Sequence, residues 1–246
     1  MFDFIANLYN QAIYRPILNL LVWLYVAIPP QDIGVAIIAV TIIIRTILAP
    51  FMNKSLRGQR ALSALQPKMN ELRETHKEDR EAQAKAMMDL YREHKVNPLS
   101  SCLPVLIQLP VLLALFHVFR RALNGNLEGL YSFVPNPGVI DPYFFGIVDL
   151  SHPNAIFAIL AGVAQYWQSR MIIRWQGTNR NNDTTTKMMN AQMTYILPII
   201  SVFVAWKLPA GLPLYWIVTT LFAVAQQYYI QRTYKPTVPA TTTTTN

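Results

Sequence analysis

The sequence predicts an all-α membrane protein: five membrane-crossing helices around a hydrated cavity, an amphipathic N-terminal helix outside, and a helical hairpin on the cytoplasmic side between spans 1 and 2. Three observations predict it. Of 246 residues, 52% are hydrophobic and only 14% charged, and the mean hydropathy is +0.24, a balance unlike that of an ordinary soluble domain. Apolar stretches recur at about the twenty residues a helix needs to cross hydrocarbon. The charge is also unevenly placed: 21 Lys and Arg against 13 Asp and Glu leave +8, and ten of the 21 basic residues lie within residues 53–98. Nine glycines without a three-residue period and a single cysteine, Cys102, exclude a collagen-like chain and a disulfide scaffold.

The elements follow in order. In residues 1–32 the apolar run 17–28 lies between Arg15-Pro16 and Pro29-Pro30 and is too short to span. Residues 2–28 therefore read as an amphipathic helix on the outer face, with Asp3, Asn7, Asn10, Gln11, Arg15 and Asn19 toward water. A re-entrant hairpin of 17–28 with the next segment is the alternative. Asp3 stands where a cleavable signal would carry basic residues, which predicts a retained N-terminus. Span 1, 33–52, is nearly continuous Ile, Val, Ala and Leu, broken by Thr41, Arg45 and Thr46.

Residues 53–98 form a second module. Leu65, Met69 and Leu72, then Ala84, Met87, Met88 and Tyr91, recur at helical spacing on either side of the polar break 75–79, which predicts two antiparallel amphipathic helices. A solvated connector is the plainer alternative. Span 2, 99–120, follows Asn97-Pro98, and an external loop occupies 121–154. Span 3, 155–173, carries Gln165, Gln168 and Arg170, and a cytoplasmic loop occupies 174–190. Spans 4 and 5, 191–206 and 212–230, are joined only by residues 207–211 and form an antiparallel pair. The tail 231–246 ends in a threonine run and reads as disordered.

Basic residues in short loops stay on the cytoplasmic side. With five spans, 53–98, 174–190 and the tail share one side and hold most of the Lys and Arg, whereas Arg15, Arg120, Arg121 and Lys207 fall on the other. This places the N-terminus outside and the C-terminus in the cytoplasm of a cell carrying the protein in its plasma (inner) membrane.

Arg45 lies near the middle of span 1. A guanidinium there costs about 2.5–3.5 kcal/mol on insertion scales and usually faces a bundle interior or water; snorkelling to the headgroups is the alternative. Thr41 stands one turn away, and other spans supply Gln108, Gln165, Gln168, Gln192, Thr219, Thr220 and Gln226 but no carboxylate. An uncompensated cation among amides and hydroxyls implies a hydrated cavity open to the cytoplasm. Enzymatic machinery is not visible: there is no H-E-x-x-H or P-loop, His76, His94, His117 and His152 lack ligand spacing, and Cys102 has no activating neighbour. The expectation is a non-enzyme with no cofactor, no metal and no small-molecule substrate.

Ordered motifs then resemble the YidC family of membrane protein insertases, related to the Oxa-type and Albino-type insertases, in its five-span bacterial form. They are Ile42-Ile43-Ile44-Arg45 leading to Pro50, Leu65-Gln66-Pro67-Lys68, Met87-Met88-Asp89-Leu90-Tyr91, Val96-Asn97-Pro98-Leu99, and Cys102-Leu103-Pro104 through Gln108-Leu109-Pro110. Leu208-Pro209-Ala210-Gly211-Leu212, Leu214-Tyr215-Trp216-Ile217 and Gln226-Gln227-Tyr228 complete them.

The resemblance implies a five-helix core enclosing a hydrophilic groove, open to cytoplasm and lipid and closed outside, with a mobile cytoplasmic hairpin. It also implies insertion and folding of newly made membrane proteins without nucleotide hydrolysis. Arg45 would receive acidic tails with Thr41 beside it, and Leu109, Leu112 and Trp216 match positions that contact the substrate's helix; Gln165 is added to the groove. The implied partners are nascent membrane proteins and membrane lipids, with the ribosome and a Sec translocon as further candidates. Ser100-Ser101 replaces a usual glycine pair and Pro213 a usual aliphatic residue, where local kinks are expected. Neither the additional span and large external domain of six-span members nor a lipoprotein-type leader is expected from the sequence. Its tail is not a long basic ribosome-holding extension. A small transporter in which Arg45 binds an anion, and a passive assembly scaffold, are the competing functions; no inverted repeat supports the first.

Overall fold

In the computed structural model the described residues are 2–101, 103–122, 125–175, 188 and 191–234. Cys102, most of the predicted loop 174–190 and the tail beyond Tyr234 lie outside them. Helix α1 (Phe2–Tyr9) runs through a π-helical turn, Asn10–Tyr14, into α2 (Arg15–Ala27). Ile28 is extended before Pro29 and ends α2.

The expected water-facing role of Asn19 does not hold. It is 3% exposed, because α2 packs its Leu18, Leu21 and Val22 into the main core while Asn19 turns to the segment around residues 129–131. Its Nδ2 donates to Gly129 O (3.1 Å) and its Oδ1 accepts from Tyr131 N (2.6 Å).

Helix α3 (Ile33–Ala64) starts at the Asp32 cap, whose carboxylate accepts from Val35 N at 2.9 Å. The apolar run ends at residue 52 but the helix does not: it passes Pro50 and continues to Ala64, with Met52 and Ser55 still buried. Among the described residues, α3 alone is both long and apolar enough to cross a membrane. Then come α4 (Gln66–Thr75) and α5 (Arg80–Glu93), which pair through Leu65, Met69 and Leu90, with Leu62, Leu72, Met87 and Tyr91 around them. Met88 faces outward instead. Asp79 caps α5, accepting from Glu81 N and Ala82 N at 3.0 Å each.

At the expected kink of Ser100-Ser101 the chain makes a 3₁₀ turn, Pro98–Ser101, laid against α3: Ser55 Oγ donates to Ser100 O, and a Cβ at Gly58 would meet the Ser100 side chain at 2.5 Å. Helix α6 (Leu103–Ala122) leads to the segment 125–154, whose Leu127, Val134, Ile140 and Leu150 are buried in the main core. Strands β1 (Tyr143–Phe144) and β2 (Val148–Asp149) pair antiparallel there.

Helix α7 (Ala155–Trp175) is followed by a π-helical turn (Gln192–Ile196), α8 (Leu197–Ala205) and α9 (Gly211–Thr233). Ala210 N donates to His152 O (2.9 Å) and Gly211 N to Leu150 O (3.1 Å), so α7 and α9 begin side by side. The kink expected at Pro213 is not needed: it falls in the first turn of α9, where an amide would have no helical acceptor.

Candidate functional site

The face of α3 that carries Arg45 continues through Met52, Leu56 and Gln59, recurring at seven, four and three residues. With Gln108 and Leu109 of α6, Gln165 and Gln168 of α7, Ser201 of α8, and Trp216, Thr219, Thr220, Gln226 and Gln227 of α9, these residues line a cavity of about 420 Å³. A smaller recess with Gln59, Arg60, Ser63, Gln227 and Ile230 continues it toward the C-terminal end of α9. At the other end the main core shuts it: Ile33, Ile37, Leu115, Phe119, Leu150, Leu212 and Tyr215 are almost fully buried.

The electrostatics are one-sided. Arg45 is 7% exposed, and its Nε reaches Thr219 Oγ1 only at a long 3.5 Å. Among the described residues no Asp or Glu lines the cavity. Above Arg45, Gln108 Nε2 donates to the hydroxyl of the buried Tyr215. Gln226 Nε2 donates to Ala49 O (3.1 Å) and Asn53 Oδ1 (2.9 Å), holding α9 to α3, whereas the buried Gln227 Oε1 has no partner among the described residues. A buried guanidinium without a counter-ion is costly unless water or a ligand supplies acceptors. The cavity can therefore receive an anionic or strongly hydrogen-bonding group.

Of the residues singled out in the sequence, Arg45, Gln165, Trp216 and Leu109 meet at this cavity. Thr41 does not. It is fully buried and its Oγ1 donates to Ile37 O at 2.6 Å, the back-bond by which a threonine satisfies itself within a helix. Leu112 packs against the main core rather than the cavity, and Gln192 is exposed away from it. Gln59, Ser201 and Gln227, which also line the cavity, are not evident from the sequence. Gln59 was hidden by ending span 1 at residue 52, and Gln227 by its neighbour Gln226, whose helical position differs by about 100°. Among the described residues no group of three His, Cys, Asp or Glu side chains could hold a metal ion.

A helical chain with an unneutralised buried arginine in a polar cavity, and apolar side chains turned outward on its long helices, defines a membrane protein. The chain belongs to the 60Kd inner membrane protein family, which it matches over residues 23–237. It is 35% identical over 202 residues to a membrane protein insertase YidC of Magnetococcus marinus, covering 82% of this chain and 33% of that protein. It is 37% identical over 201 residues to that of Geobacter sulfurreducens (81% and 34%), and 34% identical over 233 residues to that of Pelobacter propionicus (89% and 38%). The chain thus spans about a third of the length of these curated relatives.

Proposed function

We propose that the protein is a membrane protein insertase and chaperone that admits hydrophilic segments of newly made membrane proteins into a groove around Arg45. The observation that carries this is the uncompensated, buried Arg45 on a cavity lined by six glutamines and no carboxylate. In this reading α3, α6, α7, the 191–206 segment and α9 are the five spans, and the N-terminus lies outside. The Gln59 end of the cavity opens to the cytoplasm. Exposed Ile47 and Phe51 of α3, Leu106 and Leu113 of α6, Ile159 and Val163 of α7, Ile199 and Phe203 of α8, and Leu221 of α9 support it, because such outward apolar faces suit lipid rather than water.

The mechanism needs no nucleotide and no catalytic group. An acidic or polar tail enters the cavity, where amides, water and the Arg45 charge replace part of its bulk hydration and lower the cost of crossing hydrocarbon. The substrate's apolar segment passes along Leu109 and Trp216 into lipid, favoured by about 25 cal/mol per Å² removed from water. The membrane potential adds about 2.3 kcal/mol per charge per 100 mV for an acidic tail moving outward. Gln165 lines the route, Thr41 and Leu112 support it from the packed side, and the α4–α5 hairpin meets the substrate first. Nascent membrane proteins and lipids are the partners, with ribosome and translocon contact falling to the basic cytoplasmic stretches.

The test is insertion of a single-span protein with an acidic N-terminal tail into proteoliposomes holding this chain alone. Arg45→Ala should reduce insertion on the order of tenfold, the loss of a charge-assisted hydrogen bond worth about 1.5–3 kcal/mol, and Arg45→Lys should retain most of it. Wild-type insertion no better than that of empty liposomes would overturn the reading.

A further inference from the structure

The wall that α7 and α9 form beside the Arg45 cavity has a second face. Because the two helices begin side by side at His152 and Ala210 and run the same way, their residues advance in step along a furrow of about 900 Å³ on that face. Val163 and Leu221 line it nearest the start, Tyr166, Trp167 and Tyr228 follow, and Arg170 and Arg174 line its far end.

The furrow therefore changes from apolar to aromatic to cationic along its length, the same order as acyl chain, glycerol region and phosphate in a phospholipid. Val163 is 59%, Trp167 56% and Leu221 43% exposed, so this surface is unoccupied by the described residues. Arg170 sits over the Tyr166 ring at 5.9 Å, and Arg232 sits over Tyr228 at 4.4 Å. None of these arginines takes part in an ion pair among the described residues, and no carboxylate lines the furrow.

We propose that this furrow is a binding site for one anionic glycerophospholipid. Arg170 and Arg174, four residues apart on one helical face, hold its phosphodiester, since guanidinium forks match phosphate oxygens. Basic pockets at the headgroup ends of membrane helices are suited to anionic lipid, and aromatic side chains suit the interfacial level. A bound lipid braces the α7–α9 wall from behind, because Gln165 and Gln168 on the opposite side of α7 line the Arg45 cavity. The inference rests on the proposed reading that α7 and α9 cross the bilayer with Arg174 at the cytoplasmic headgroups.

The experiment is native mass spectrometry of the full chain in neutral detergent, titrated with dioleoyl phosphatidylglycerol or dioleoyl phosphatidylcholine. One phosphatidylglycerol should be retained in preference to phosphatidylcholine. That preference should fall about fivefold for each of Arg170→Gln and Arg174→Gln, and the double Lys variant should keep most of it. Equal retention of the two lipids, an unchanged preference in the double Gln variant, or occupancy of the furrow by a second copy of the chain would overturn the site. Should the double Gln variant fail to fold, the two single variants give the same readout. Arg45→Ala separates the two proposals: it should reduce insertion on the order of tenfold and leave lipid preference intact. Loss of wild-type insertion with lipid preference kept sinks the functional reading alone, and the converse sinks the lipid site alone.

Discussion

Asp149 secures the end of the bundle where α7 and α9 begin by holding the short segment that α9 leans on. Its carboxylate accepts from Ser151 N (2.8 Å) and Ser151 Oγ (2.5 Å) and meets His152 Nδ1 at 2.9 Å. Burial pushes its pKa up, but the hydrogen bonds from Ser151 and the contacts with His152 outweigh that and hold it below the usual carboxylate value. A group whose pKa is lower folded than unfolded stabilises the folded state above the unfolded value, and that contribution disappears as pH falls through the folded value. The loss therefore starts near the ordinary carboxylate pKa, about 3.9, and completes below it. The carbonyls of Leu150 and His152 bind the Gly211 and Ala210 amides, so hydrogen exchange at those two amides, corrected for its intrinsic pH dependence, should accelerate on acidification below about pH 4. Asp149→Asn should flatten that dependence; unchanged protection in the wild type would show that the carboxylate does not control this junction.

Between elements, α7 and α8 approach each other tightly at Gly162. A Cβ there would meet Val202 Cγ2 at 2.3 Å and Pro198 O at 3.4 Å. Gly162→Ala therefore forces Val202 to move, an overpacking cost of about 1–3 kcal/mol, although alanine itself favours a helix. The midpoint of thermal unfolding in detergent should fall, and Val202→Ala in the same chain should restore much of the loss, since removing the Cγ atoms removes the conflict. Absence of both effects would mean that the helices are not packed this closely. The same scale explains the length of α3. Hydropathy marks where lipid-compatible residues stop, not where the backbone hydrogen-bond ladder stops, and Ser55 and Gly58 continue the helix by packing against the 98–101 turn.

Across the whole molecule, Asn19 ties the N-terminal helices to the 125–150 segment. Its amide donates to Arg15 O (2.7 Å) and Gly129 O (3.1 Å), and its carbonyl accepts from Tyr131 N. Arg15 adds a contact over the Tyr131 ring. Asn19→Ala leaves those backbone groups without the side chain, at about 1–3 kcal/mol for each one that stays buried. Limited proteolysis within 125–150 should then speed up about tenfold or more, while the α4–α5 hairpin should be cut at its former rate. Equal acceleration at both places would indicate global unfolding instead.

By itself, the sequence determined the helical, membrane-embedded character of the chain, the hairpin after the first apolar segment, and the presence of an unneutralised arginine among polar side chains. These rest on composition, on local periodicity and on the lack of a carboxylate in the apolar segments, all of which can be counted along one dimension. The tertiary structure decided which polar residues share a surface. Arg45 and Thr41 lie one turn apart on the same helix, yet Arg45 lines the cavity while Thr41 is sealed in the core. Gln59 enters the site from a stretch that reads as cytoplasmic hairpin, and Asn19 leaves the expected water-facing side to clamp a loop more than a hundred residues away. The rotation of each helix about its axis follows from how its neighbours fill space, and that depends on side chains distant in sequence.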